Sequence, residues 1–314
     1  MQKSPPFVEP LAHGVYVIDT GFVRPRFDAS HLIVEQGRAA FVDTGTNHAV
    51  PRLLEALESL GLARDAVDYV IVTHVHLDHA GGAGALLQHL PSARLVVHPL
   101  GARHLVDPSR LMASARAVYG DAEVARSYGE LVAVPRERVI QTHDGMALSL
   151  AARPLEFFDT PGHARHHHCI WDERSRGFFT GDTLGVAYPE FTNQSGVWLI
   201  PATPPTQFDP DALRASVRRL LSFDPQRVYL THYGEVTAVP KLGATFLARL
   251  DAIVDFGQTL RTHPQRLQAL QLGLAELYRT WLREHSCPLD AAHALRLLSI
   301  DIDINAQGID NWLG

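Results

Sequence analysis

Residues 73–79 read Thr-His-Val-His-Leu-Asp-His and place three imidazoles and one carboxylate within six residues. They directly follow residues 69–72 (YVIV), an apolar run typical of a buried strand. A turn at this point can direct His74 and His76 at one cation, and Asp78 and His79 at a second. Mixed imidazole and carboxylate donors suit zinc, iron or manganese better than calcium or magnesium, which prefer oxygen ligands. The spacing HxHxDH arises by chance in about a few per thousand such chains, so it indicates a metal site rather than a solvated loop.

Later strand ends present further ligand-type residues. Two strand patterns lead through short turns to His163 and Asp182, and a third leads directly into His232. Layered α/β folds place their active sites beyond such strand ends. Each of these positions is a weak indication alone, because single polar residues after strands are common. Together with the first cluster they predict one metal-ligand set: His74, His76, Asp78, His79, His163, Asp182 and His232.

The surrounding pattern predicts an α/β (α+β) protein. Strand and helix patterns alternate through the first part of the chain, with hairpin signals near the N-terminus. Residues 101–130 are predicted to be a helical insertion that lines a pocket or an interface. From residue 239 onward apolar residues recur at helical spacing, and only residues 300–304 (IDIDI) are ambiguous between strand and helix. We therefore predict a catalytic domain over residues 1–238 and a helical C-terminal region over residues 239–314.

Composition narrows the functional class. The chain has 314 residues and a formal net charge of −6, with no basic run that would favour nucleic acid as a partner. Its two cysteines show no CxxC spacing, which argues against a disulfide framework or a zinc–cysteine site. The sequence shows neither a membrane-spanning apolar run nor a secretory signal pattern, so a cytoplasmic location without membrane association is expected. The unusual count is 18 histidines, the side chain that binds metals most often.

The order of the motifs resembles the metallo-β-lactamase superfamily, most closely its glyoxalase II-like and lactonase-like branches. The motifs are THxHxDHxGG at residues 73–82, TPGH at 160–163, GDT at 181–183, and TH at 231–232 followed shortly by glycine. The resemblance extends over residues 12–235. It implies an αββα sandwich with a dinuclear metal site at one edge of the two sheets, followed here by a helical C-terminal extension.

The resemblance also implies a grouping of the ligands. His74, His76 and His163 would hold one metal, Asp78, His79 and His232 the other, and Asp182 would bridge both. Asp43, in a Val-Asp-Thr-Gly strand end, would orient a ligating imidazole rather than bind metal.

Residues 164–167 depart from the family pattern TPGHTxGH. Ala164 and Arg165 follow His163 where the family has threonine first, and His166 replaces its glycine. His167 matches the second histidine of the pattern. We treat His166 and His167 as candidates for the pocket and exclude them from the ligand set.

These residues predict a hydrolase. Two divalent cations, with zinc favoured and iron or manganese as alternatives, would share a bridging hydroxide that attacks a small ester-like bond in a thioester, lactone or related acyl compound. Asp182 would set the metal spacing and Asp78 would orient the water, so both are predicted catalytic residues. The substrate is expected to be a small molecule. Tyr188, Trp198 and Arg165 lie near the metal motifs in sequence and are candidates for substrate contacts.

Other activities remain open at this level. A phosphodiesterase for small substrates uses the same kind of site. A di-iron redox or oxygen-handling protein is a further alternative, although relatives of that type carry glutamate where this chain has His76 and also carry a flavodoxin domain. A binding protein without catalysis would be expected to have lost ligands, and a β-lactamase proper is disfavoured by the helical extension and the missing secretion signal. The helices of residues 101–130 and of the C-terminal region are a possible homodimer interface.

Overall fold

A computed structural model describes residues 5–314, without the side chains of residues 118 and 119. Residues 1–4, which the predicted first domain includes, lie outside the described residues. The chain forms two compact units, and each is interrupted in sequence. The first contains the chain up to Asp159, His166–Gly181 and Gln226–Glu235; the second contains Thr160–Arg165, Asp182–Pro225 and Val236–Gly314. The domain boundary predicted between residues 238 and 239 stays a prediction.

The first sheet of the first unit follows chain order. Its strands are β1 (Val8–Pro10), β2 (Val15–Asp19), β3 (Ala29–Glu35), β4 (Arg38–Val42), β5 (Val67–Ile71), β6 (Arg94–Val97) and β7 (Val139–Gln141). Strands β1 to β4 pair antiparallel and β4 to β7 pair parallel. Parallel neighbours require crossover connections, which helices provide here. These helices are α1 (Val50–Ser59), α2 (Leu77–Ala80), α3 (Ala83–His89), α4 (Pro99–Val106), α5 (Ser109–Tyr119) and α6 (Asp121–Ser127).

The second sheet has the order β15-β14-β11-β10-β9-β8. The strands from β8 onward are β8 (Met146–Leu150), β9 (Arg153–Asp159), β10 (His168–Asp172), β11 (Gly177–Gly181), β12 (Val186–Ala187), β13 (Leu199–Ile200), β14 (Arg227–Leu230) and β15 (Gly234–Val236). Strands β8 to β11 pair antiparallel, whereas β11 and β14 pair parallel. Strands β12 and β13 form a separate antiparallel pair. The sequence analysis did not predict β1, β7, β8, β12, β13 or β15. The outward positions of β8 are polar or small, and the other five strands are only two or three residues long.

Side-chain alternation in the first sheet creates two cores. Ile33, Val42 and Ile71 face a cluster that includes Phe157 and Tyr229 of the second sheet. Their neighbours in sequence face the opposite way, into a cluster that contains residues of α1, α3 and α4. A strand buried on both faces reads as a continuous apolar run, which is why residues 69–72 were recognisable in the sequence. The metal-ligand cluster begins where this doubly buried strand ends.

The second unit contains the remaining helices: α7 (Pro210–Leu221), α8 (Val239–Thr259), α9 (Arg266–Glu284), α10 (Ala291–Leu297) and α11 (Ser299–Leu313). The Asp209 side chain accepts hydrogen bonds from the backbone N–H groups of Asp211 and Ala212, and thereby caps the N-terminus of α7. The ambiguous residues 300–304 are helical. Ile302, Ala306 and Ile309 of α11 are buried at helical spacing, which outweighs the short alternation of apolar and acidic residues.

Within residues 5–314, no helix is both long enough and apolar enough to cross a membrane.

A buried ion pair stabilises the second sheet. Arg153 Nε donates to Asp172 Oδ1 at 2.8 Å, Arg153 Nη1 donates to the His13 carbonyl at 2.7 Å, and both side chains of the ion pair are fully buried. We predict that Arg153→Ala lowers the free energy of unfolding by about 3–5 kcal/mol, because it leaves the Asp172 charge buried and unpaired. The matched control is Arg38→Ala, which removes a half-exposed pair with Asp68 and should cost about 0–1 kcal/mol. Urea unfolding of both variants measures the difference; equal losses would contradict this assignment.

Candidate metal centre

The Asp43 carboxylate joins three separate parts of the first unit. It is fully buried and accepts hydrogen bonds from the Thr73 backbone N–H at 2.7 Å, the Thr73 hydroxyl, the Thr231 hydroxyl at 2.7 Å and the ring of His79. The expectation that Asp43 orients an imidazole is met at His79, whose Nδ1 lies 2.9 Å from Asp43 Oδ2. Thr73 and Thr231, whose roles the sequence analysis did not assign, each directly precede a predicted ligand. The threonine of each Thr-His motif therefore fixes the strand end from which the histidine projects.

The contacts of Thr73 determine which ring nitrogen of His74 carries the proton. The Thr73 hydroxyl has a single proton, which it donates to Asp43 at 2.9–3.0 Å. Its oxygen therefore accepts from His74 Nδ1, 3.1 Å away, and the lone pair of His74 lies on Nε2. That atom is 2.9 Å from His76 Nδ1. His74 Nε2 therefore accepts a hydrogen bond from His76 Nδ1, and this contact holds the two imidazoles together.

Asp78, His79 and His232 form a compact donor set within the first unit. One ligand atom of each lies within 4.8 Å of the other two. Asp78 Oδ2 is 3.9 Å from His79 Nε2 and 3.5 Å from His232 Nε2. His232 Nδ1 donates to the Phe27 carbonyl at 2.8 Å, so its Nε2 carries the lone pair, as that of His79 does. Two unprotonated imidazole nitrogens and one carboxylate oxygen fit a divalent transition metal such as zinc, manganese or iron.

His163 and Asp182 lie in the second unit. His163 Nδ1 donates to the Ala202 carbonyl at 3.1 Å, and its Nε2 lies 3.3 Å from Asp182 Oδ2. Gly162, which directly precedes His163, has φ +133°, and a Cβ there would come within 2.3 Å of the Leu213 backbone. Glycine is therefore required for the turn that presents this histidine. The seven predicted ligands are distributed over both units, and their joint coordination stays a prediction.

The candidate pocket histidines are both buried in the first unit. The His167 ring stacks on His74 with centroids 4.9 Å apart. His166 Nδ1 is 3.5 Å from the Val75 backbone N–H, and its ring lies 5.8 Å from that of His76. A Cβ on Gly181 would lie 2.6 Å from His167 Nε2. His167 therefore packs between His74 and Gly181. His166 instead lies beside His76, whose side chain is half-buried.

The predicted substrate role of the two aromatic candidates is wrong for this structure. Tyr188 and Trp198 are fully buried, and the Tyr188 hydroxyl donates to Asp301 of α11. The guanidinium of Arg249 lies 5.0 Å from the Trp198 ring, so these aromatic side chains belong to the interior of the second unit. Arg165 is exposed and its backbone N–H donates to the Gln207 side chain, and its contact with substrate stays a prediction.

His168 forms hydrogen bonds to the chain segment that directly follows β5 and leads into residues 74–79. The sequence analysis assigned this histidine no role. Its Nε2 donates to the Val72 carbonyl at 2.9 Å, and its Nδ1 accepts from the Thr142 hydroxyl at 2.8 Å. Its backbone N–H donates to the Thr73 carbonyl at 2.9 Å. Burial lowers the pKa of His168 to about 3, so the ring is neutral in the folded protein.

A further buried carboxyl belongs to Asp28. Burial raises the pKa of Asp28 to about 7. Its Oδ2 accepts from the Thr20 hydroxyl at 2.6 Å. No sequence motif marked this residue.

Residues 23–232 match the family model of the metallo-beta-lactamase superfamily. The chain therefore belongs to that superfamily, and the predicted fold class is confirmed. The solved structure of an archaeal member from Sulfolobus tokodaii aligns over 95% of this chain and 99% of its own, with a TM-score of 0.66 and 23% identity. A family member from Thermus thermophilus aligns over 83% of this chain and 87% of its own, with a TM-score of 0.64 and 24% identity. Similarity at this level of identity concerns the fold.

Curated relatives give a similar picture. A metallo-beta-lactamase fold-containing protein of Sulfurisphaera tokodaii is 31% identical over 57% of this chain and 64% of its own length. The match thus spans less than two thirds of that relative. A hydroxyacylglutathione hydrolase of Xanthomonas campestris is 26% identical over 90% of this chain and 94% of its own length. That similarity includes part of the helical C-terminal region.

We predict that Asp43→Asn weakens binding of the cation at Asp78, His79 and His232 by about 10–100-fold, because the amide cannot accept from all the donors now directed at Asp43. Chelator-competition titration with Zn²⁺ measures the affinity. Asp68→Asn, at a carboxylate paired with Arg38 in the same unit, is the control and should bind as the parent does. Unchanged affinity in Asp43→Asn would contradict an orienting role.

We predict that neutral His168 makes the metal-free protein less stable in acid. The unfolded chain binds a proton near pH 6.5 and the folded ring only near pH 3, so stability falls as the pH is lowered between these values. His168 should contribute a slope of about 1.4 kcal/mol per pH unit in that window. His168→Gln keeps an N–H donor but cannot titrate, and urea unfolding between pH 4 and 6.5 should show a correspondingly shallower dependence. An identical slope in both proteins would refute the assignment.

Proposed function

We propose that this chain is a dinuclear metal-dependent hydrolase that cleaves a small ester-like bond in an acyl substrate. The observation that carries the proposal is the donor set of Asp78, His79 and His232. Each imidazole is fixed through Nδ1 by a carboxylate or carbonyl, and each directs an unprotonated Nε2 toward the Asp78 carboxylate.

The proposed ligand assignment follows the family resemblance. By that resemblance His74, His76 and His163 would hold one cation, Asp78, His79 and His232 would hold the second, and Asp182 would be a ligand to both. Apart from Asp182, one cation would have three imidazole donors and the other would have two imidazoles and one carboxylate. Zinc is the metal favoured by such donors, although manganese and iron accept them too. Bound cations of this kind lower the pKa of water toward neutrality and polarise an acyl oxygen.

Other residues of the chain fix the orientation of the proposed ligands. Asp43 fixes the ring plane and proton position of His79, and through Thr73 those of His74. Asp78, whose side chain is partly exposed, can also accept a hydrogen bond from an attacking water. His166 lies beside half-buried His76, where it can contact a bound substrate.

A thioester is the first substrate class to consider. The hydroxyacylglutathione hydrolase of Xanthomonas campestris matches 90% of this chain, including part of the region after residue 239. The formal charge of −6 disfavours a polyanionic substrate. We therefore propose a small acyl compound, with a glutathione thioester as one member of the class.

The test is a panel of initial hydrolysis rates for the zinc- or manganese-loaded protein. The panel contains a glutathione thioester, an acyl-homoserine lactone, a β-lactam and a small phosphodiester. We predict turnover of an acyl substrate, with kcat/KM lowered by roughly 10²-fold or more in Asp182→Ala because the proposed ligand that sets the spacing of the two cations is lost. A chelator should abolish the activity, and added metal should restore it.

The matched control is Asp255→Ala, at an exposed carboxylate of α8, which should retain full activity. Metal content is measured on every protein, so that loss of metal and loss of rate are separated. Turnover of the phosphodiester alone would replace the acyl assignment. Absence of turnover by protein that holds two metal equivalents would contradict hydrolysis of this substrate class.

A further inference from the structure

Residues 201–209 form an irregular segment between β13 and α7, and one of its carbonyls holds a proposed metal ligand. His163 Nδ1 donates to the Ala202 carbonyl at 3.1 Å. This contact keeps a proton on Nδ1, so that Nε2, which lies 3.3 Å from Asp182 Oδ2, is the ring nitrogen left for a cation. The position of the Ala202 carbonyl therefore decides how His163 is presented.

The Asn305 side chain of α11 binds the backbone on both sides of Ala202. Its Nδ2 donates to the Pro201 carbonyl at 3.0 Å, and its Oδ1 accepts from the Thr203 backbone N–H at 2.7 Å. Nδ2 also donates to the Tyr278 hydroxyl at 2.8 Å, so both polar atoms of the amide are used. Asn305 is only 1% exposed, and a buried amide satisfied in this way keeps one orientation.

The helix backbone also lies close against this segment. A Cβ on Gly308, one turn after Asn305, would come within 1.9 Å of the Thr203 carbonyl oxygen, so glycine is required for the approach. Asn311 Nδ2 donates to the Pro205 carbonyl at 2.8 Å. Asn305, Gly308 and Asn311 follow one another at intervals of three residues, which places them on one face of α11. The C-terminal helix therefore fixes the backbone of the segment.

We propose that Asn305 is a positioning residue for His163. By holding the peptide groups that flank Ala202, it fixes the carbonyl that keeps the proton of His163 on Nδ1, and it thereby raises the affinity of this ligand for a cation. Asn305 acts through the Ala202 carbonyl rather than as a ligand. The inference rests on the proposed role of His163 in metal binding. It gives the helical C-terminal region a task in that binding.

The test compares the parent protein with Asn305→Ala and with the matched control Ile309→Ala. The first change removes the amide that holds residues 201 and 203. Ile309 is buried one turn further along the same helix and lies against Gly257 of α8. Its truncation should lower the thermal midpoint of the metal-free protein without moving the Ala202 carbonyl. Both full-length variants are checked for folding by circular dichroism.

Stepwise Zn²⁺ affinities are measured by chelator competition. We expect Asn305→Ala to weaken one of two sites about 10–100-fold, because the group that orients the imidazole is no longer fixed, and Ile309→Ala to bind as the parent does. NMR of the zinc-saturated proteins follows the Nδ1–H proton of His163, assigned by its loss in His163→Gln. A hydrogen-bonded N–H resonates downfield, so this signal should move upfield in Asn305→Ala and stay in place in Ile309→Ala.

Parent-like Zn²⁺ affinities or an unmoved Nδ1–H signal in Asn305→Ala would overturn the proposal, as would an equal loss of affinity in Ile309→Ala. If Asn305→Ala folds poorly, Gly308→Ala is the second test: its Cβ displaces the Thr203 carbonyl while alanine favours the helix, and the same loss of affinity is expected. A parent that binds two equivalents but hydrolyses no acyl substrate contradicts the proposed function alone. A parent that binds no Zn²⁺ contradicts both.

Discussion

The burial of the Asp43 carboxylate is the constraint on which the candidate site depends. A carboxylate removed from water must be compensated by donors, and Asp43 obtains them from residues 30 and 188 positions later in the chain, Thr73 and Thr231, and from His79. Its backbone is tied to the same sheet, since its N–H donates to the Ile71 carbonyl at 2.8 Å. The ends of β4, β5 and β14 are thus held together by one charge, and the ligands that follow β5 and β14 are positioned as a consequence.

The same contacts decide the chemistry of the histidines. Acceptor-only groups bind Nδ1 of His79, His163 and His232, and a threonine hydroxyl whose proton is already used binds Nδ1 of His74. Each ring therefore carries its proton on the side away from the other donors. A metal site needs this arrangement before any cation binds, because a ligating nitrogen must present a lone pair.

Asp172 and Asp28 are both buried acidic residues of the first unit, but their carboxyl groups differ in how many hydrogen bonds they receive. Asp172 is satisfied entirely by protein, through Arg153, and contributes to the stability of the second sheet. Asp28 is equally buried, but the described residues compensate only one of its oxygens. The first arrangement is complete within the protein, whereas in the second burial raises the pKa of the carboxyl to about 7, so that uptake of a proton relieves the buried charge.

The sequence by itself determined the positions of the ligand residues, because a buried parallel strand is a continuous apolar run and its end is marked by the polar residues that follow. The strand before residues 73–79 and the Thr-His motif at 231–232 were recognisable for that reason. It also determined the helical C-terminal region, through apolar spacing. Only tertiary structure decided the partners of those residues. Thr20, Phe27 and Asp28 carry no local signal, and Tyr188 and Trp198 looked like pocket residues until packing placed them in an interior. Hydrogen bonds between distant strand ends depend on sheet order and register, which local periodicity does not encode.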